Sequence, residues 1–171
     1  ICRRVKRTGD HIVVEFTTMF RFVPGDSLLL LLPGFGGASS NFSVTDTHNC
    51  FSSGSWNQEN ALLTLTAAAN IQSMSSVIIT VPGNAGIELP PGGLARNHEG
   101  LRIYSTAKFG PIPEHLSLAI SHVLPMGSFE DSTSLVFDPP RAGSVFRMFF
   151  SFSPVMTIQS GESVSLKLSG F

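Results

Sequence analysis

The residues able to do chemistry in this 171-residue chain are few and scattered. Its five histidines, His11, His48, His98, His115 and His122, never recur at i,i+2 or i,i+4. A metal centre would have to be assembled from distant segments, so they read as lone loop or surface side chains. Among the acids only Glu130 and Asp131 are adjacent. A calcium loop near Asp131 and Asp138 is the one carboxylate grouping that spacing suggests, and it is a thin one. Glycosidase carboxylates leave no spacing signature, because they converge only in three dimensions.

The stretch 28–37, LLLLLPGFGG, invites comparison with the glycine-rich oxyanion loop that follows a buried strand in α/β-hydrolases. The nucleophile elbow G-x-S-x-G is missing, and Gly54-Ser55 and Gly127-Ser128 lack its second glycine. The next residues, Gly34 to Ser40, have glycines and hydroxyls but no Gly-Lys-Ser/Thr to hold a phosphate. The expectation is a non-enzyme with no catalytic residue, cofactor or metal. A hydrolase is only a remote alternative.

Other residues suggest modification or contact. Cys2 and Cys50 are the two cysteines, and an oxidising location would make them a disulfide candidate. Asn41-Phe42-Ser43 is an acceptor for N-linked glycan. Trp56, alone of its kind in a Ser/Asn-rich stretch, and Tyr104 are sugar-stacking candidates for an adhesive or carbohydrate-binding module. The run Arg3-Arg4-Val5-Lys6-Arg7 reads as a solvated basic tip, or as a dibasic processing site.

Composition limits the partners. Charged residues make up 13% of the chain and the formal net charge is −1. A nucleic-acid partner has no electrostatic support from such a balance. The longest apolar run, 28–33, is far short of the ~20 residues of a membrane span. A surface built from Ser, Thr, Asn and Gly suits an extracellular or cell-surface location. The chain opens on Ile1 and closes on a completed motif, so the expectation is a mature product or a piece of something longer.

The elements around these residues show period two rather than 3.6. Ile12, Val14, Phe16, Phe20 and Phe22 share one face of an extended segment. Residues 77–81 are nearly all β-branched, and 116–120 and 164–168 alternate. The best helix candidate, 57–69, contains the alternating Leu63-Thr64-Leu65-Thr66. Turns at 23–26, 82–84, 90–93, 138–140 and 160–161 punctuate these runs. The pattern predicts an all-β fold: an antiparallel immunoglobulin-like β-sandwich of about ten short strands with little helix. Polar stretches at 36–58, 90–100 and 125–133 are expected to be loops.

The sequence also repeats itself. GDSLLLLLPGF at 25–35 returns without a gap as GESVSLKLSGF at 161–171, and Phe16 and Phe22 fall on Phe152 and Ile158. A weaker third copy runs from Ile71 to Val81. On this reading 1–35 is an N-terminal strand segment, either a donor strand or the end of a preceding unit, and 36–171 is the sandwich body. The segment 12–22 is then the assembly strand, able to complete a neighbour's sheet.

The phrases Pro24-Gly25-Asp26-Ser27 to Leu32-Pro33-Gly34-Phe35, their echo at 161–171, and Ile79 to Pro82 with 86–93 resemble immunoglobulin-like modules of repetitive cell-surface and filament proteins of algae and protists. Pilus-like strand-donating subunits are an analogy. The resemblance covers about half of the chain. It implies a structural, glycosylated, extracellular role, with copies of itself as partners and no catalytic residues.

Overall fold

The computed structural model describes residues 11–91, 93–123, 127, 129, 133–154, 156–158 and 160–169, and the backbone alone of 2–8. The chain divides into two compact units, Ile1–Leu124 and Pro125–Phe171. The observed boundary thus lies at 124/125 rather than at 35/36.

The first unit is all-β and antiparallel, as the alternation predicts. One sheet has the order β1-β2-β8-β5: β1 (Cys2–Thr8), β2 (His11–Thr17), β8 (Ser76–Val81) and β5 (Thr45–Asp46). The other has the order β10-β9-β3-β7-β6-β4. Its members are β10 (Leu118–Ala119), β9 (Arg102–Ser105), β3 (Ser27–Leu31), β7 (Leu62–Ala67), β6 (Phe51–Asn57) and β4 (Ser40–Ser43). Two single 3-10 turns, Gly83–Ala85 and Glu114–Leu116, are the helical elements among the described residues.

The leucine run becomes β3 because β7 and β9 flank it on both sides. Leu28, Leu30 and Leu32 are buried inward, while Leu29 sits opposite Thr64 on the half-buried outer face. The helix candidate at 57–69 is mostly β7. Its alternation prevails over the alanines, because Leu63, Leu65 and Ala67 face the core while Thr64 and Thr66 do not. The polar stretch 36–58 carries β4, β5 and β6, contrary to the loop expected there. Buried Val44, Phe51 and Trp56 are spaced widely enough among Ser and Asn to hide their periodicity.

The two sheets share a core. Phe16 of the four-stranded sheet meets Phe51 of the six-stranded one edge-on at 6.1 Å. Phe22, on the segment between them, closes the cluster at 6.4 Å from Phe16 and 6.0 Å from Phe51. Fully burying one such ring contributes roughly 1.5–3 kcal/mol.

The connections that cross between the sheets are related to each other. Residues 18–26 carry the chain from β2 to β3, and 68–75 carry it from β7 to β8. Phe22 and Ile71 bond reciprocally, N–H to C=O, at 3.0 Å each way. Gly25 N–H donates to Ala67 C=O, and Met74 N–H donates to Thr18 C=O. Thr18 N–H donates to Ser75 C=O, and Ala67 N–H to Asp26 C=O. Each pair of bonds exchanges under a shift from 22 to 71, so the two crossings form a local pseudo-two-fold. The sequence follows it. Leu32-Pro33-Gly34 matches Val81-Pro82-Gly83, and left-handed Gly25 (φ 90°) matches left-handed Met74 (φ 65°). The pairing is nested as a result, β2 with β8 and β3 with β7.

The second unit holds one hairpin, β11 (Ser134–Asp138) with β12 (Arg147–Ser151). The alternating residues 163–168, expected as a strand, form none.

Candidate functional site

The residues that sequence reading singled out for chemistry are used structurally. Phe35 N–H donates to Leu32 C=O, Gly36 and Glu88 exchange both backbone bonds, and Gly37 C=O accepts from the Trp56 indole at 3.1 Å. Gly37 is left-handed (φ 93°), and a Cβ there would collide with the Gly86 carbonyl. The glycine-rich loop therefore serves close backbone approach, with the Phe35 and Gly36 N–H groups already engaged.

The histidines stay apart. The His48 ring bonds Ser76 C=O, His98 Nδ1 accepts from Gly100 N–H, and His122 Nδ1 lies 3.1 Å from Ser121 Oγ. Among the described residues no group of three or more His, Cys, Asp or Glu converges. Asp131 lies outside the described residues, and Asp138 is exposed at the end of β11.

Trp56 is 2% exposed, which corrects its assignment as a sugar-stacking group: neither face of the ring is open to a ligand. Tyr104 is half-buried and, with Phe16, Phe20, Phe22, Ile103 and Leu118, lines an apolar cleft of about 100 Å³. Burial pushes its hydroxyl pKa up, and Glu114 adds to the shift. The cleft holds few polar groups with which to orient a sugar.

Cys50 is a buried free thiol directed at the His48 and Asn70 carbonyls, 3.4 and 3.7 Å away. Burial, then the charge of Asp46, pushes its pKa up, away from the reactive thiolate. The Cys2 side chain, and with it the disulfide candidate, lies outside the described residues. The basic run 3–7 lies within β1, and its side chains are likewise outside them. Asn41 is exposed on β4, the edge strand of the six-stranded sheet, rather than in a loop.

The segment 12–22 is paired within its own chain. β2 has β1 on one side and β8 on the other. Val14, Phe16 and Phe22 are buried, Ile12 and Phe20 half-buried. This corrects the donor-strand expectation for these residues, because neither edge of β2 is free to enter a neighbour's sheet.

Two acids organise loops. Asp26, 7% exposed, accepts from Val23 N–H at 2.8 Å and Lys108 N–H at 3.1 Å. It thereby ties the first crossing to the loop after β9. Asp46 accepts from Cys50 and His48 N–H groups and rounds the turn into β6.

The feature the sequence reading missed lies in the second unit. On one face of the hairpin Leu135 opposes Phe150 and Phe137 opposes Met148. Phe150 stacks on Phe152 at 4.9 Å, and Phe129 meets Phe152 edge-on at 5.2 Å. On the other face Val136 opposes Phe149, 53% and 56% exposed. Val145, Phe146, Met148, Met156, Ile158 and Leu166 are exposed as well. The second unit thus leaves several large apolar side chains open to solvent. Its signal was present as Phe146, Phe149, Phe150 and Phe152, a density approached only in the segment 16–22.

No family model matches the chain, and neither a curated protein nor a solved structure does. No helix among the described residues is long and apolar enough to cross a membrane.

Proposed function

We propose that this chain is a structural subunit of an extracellular filament or surface coat, assembling through strand-level packing between β-sandwich units. The observation that carries this reading is the apolar hairpin of the second unit, which leaves Val136 and Phe149 more than half exposed. Three features support it. Charge is low, at 13% of residues. Asn41 is exposed on an edge strand, where a covalent glycan has room to project. The glycine loop and Trp56 are engaged in packing.

The variety of sandwich is part of the proposal. In immunoglobulin-like sandwiches the two strands joined by one crossing pair in the same order with the two joined by the next. The nested order here, β2 with β8 and β3 with β7, favours a jelly-roll-like arrangement of the first unit over the immunoglobulin-like one.

Negative-stain electron microscopy of the purified full chain, and of native material recognised by an antibody to it, tests the reading. Filaments or ordered sheets are expected. A monodisperse single-copy particle at every concentration in both preparations would overturn it.

A further inference from the structure

Every strand–crossing–strand element of the first unit needs a second one. β2 and β3 lie in different sheets, so neither can cover the other's edge. β2 is covered by β8 and β3 by β7, and the two crossings join at Phe22 and Ile71.

The second unit contains the same element once. β12 starts at Arg147 as β2 starts at His11, and Phe152 falls on Phe16. Ile158 falls on Phe22, and left-handed Gly161 (φ 93°) on left-handed Gly25 (φ 90°). β12 has β11 on one side, as β2 has β1, and no strand on its other side among the described residues. Residues 163–168 correspond to β3 and β8, yet are unpaired.

We propose that the 147–168 element of one copy interlocks with the same element of a second copy about a two-fold axis, as 11–32 and 62–81 interlock within the first unit. This deepens the assembly reading, and rests on it, by naming the joint. The register follows from the pairs Ile12–Val81, Val14–Ile79 and Phe16–Val77. Carried over, Met148 faces Leu168 of the second copy, Phe150 faces Leu166, Phe152 faces Val164, and Ile158 faces Ile158. These inward-facing pairs are all apolar, while the alternate, outward-facing pairs of the same register are Phe149 with Lys167 and Ser151 with Ser165. The interface is isologous, so it closes with two copies. Within the first unit the two crossing elements already cover each other's strands.

The full chain is tested in two ways. Sedimentation equilibrium should give a dimer, and Leu166→Asp should weaken it by about tenfold or more, because a carboxylate then enters the apolar joint. In a Cys2→Ala, Cys50→Ala background, Ile158→Cys should oxidise to a covalent dimer, while Val145→Cys, outside the joint, should not. A monomer at all concentrations, a dimer indifferent to Leu166→Asp, or equal cross-linking at 145 and 158 would each overturn the proposal. Filaments with no cross-link at Ile158→Cys would leave the assembly reading standing and remove this joint. A cross-linked dimer with no filaments would do the reverse.

Discussion

Residues 25–35 and 161–169 start alike and end differently. Both open on a left-handed glycine, Gly25 and Gly161, followed by an acid and a serine. The first then becomes β3, with Leu28, Leu30 and Leu32 buried between strands on either side. In the second, residues 163–168 form no strand, and Leu166 is 39% exposed. The difference does not come from the glycine, which is left-handed in both turns. It comes from neighbours: β7 and β9 stand beside β3, and among the described residues no strand is paired with 163–168. A strand's propensity is mostly the packing it meets, so one pattern gives two outcomes in two settings.

Truncation is the strongest way to probe this contrast. Leu30→Ala should cost about 2–5 kcal/mol, because Leu30 is fully buried. Leu166→Ala should leave the stability of the isolated chain within about 0.5 kcal/mol. Urea unfolding of both variants checks the pair, and a large loss at Leu166 in monomeric protein would erase the distinction.

Asp26→Ala comes next. It leaves the Val23 and Lys108 N–H groups without their acceptor, at about 1–3 kcal/mol, read from the same denaturation curves. A third prediction concerns the shared turn. Gly25→Ala should destabilise by about 1 kcal/mol, while Met74→Gly should stabilise by up to about 1 kcal/mol, since Met74 holds φ 65° at the matching position. Calorimetry should move the two melting temperatures in opposite directions.

The smallest effect is on pH dependence. Burial raises the pKa values of Cys50 and Tyr104, so the unfolded chain ionises first. Their contribution is complete below the ordinary thiol value of 9.0 and is lost as pH rises through 9.0 and then 10.0. Cys50→Ala should remove the earlier part of that decline in a melting series across alkaline pH, without changing stability's pH slope near neutrality.

The fold class was legible because Ile12, Val14 and Phe16, and likewise Leu63, Leu65 and Ala67, alternate without interruption. The turn residues were legible too, Gly25, Gly34 and Gly161 being left-handed as their settings suggest. β4 to β6 were not, because Gly54 interrupts β6 where Phe42 crosses its backbone and leaves no room for a Cβ. The sequence marks such a site only as polar and glycine-containing. Nor could local pattern say that Trp56 turns inward to Gly37. Nor could it separate 12–22 from 146–152, which look alike as strings of Phe and Val. Only the strands beside them differ.

The mutual locking of the two crossings also has a temporal side. Phe22 cannot make its reciprocal bonds until Ile71 arrives, and β2 waits for β8, whose last residue is Val81. β3 can meet β7 once residue 67 has been made, but β2 finishes pairing only when Val81 has followed. Such distant closures place folding at the slow end of the range for small domains. Until β7 and β9 arrive the leucines of β3 are uncovered, and a nascent chain in this state is a natural client for a chaperone.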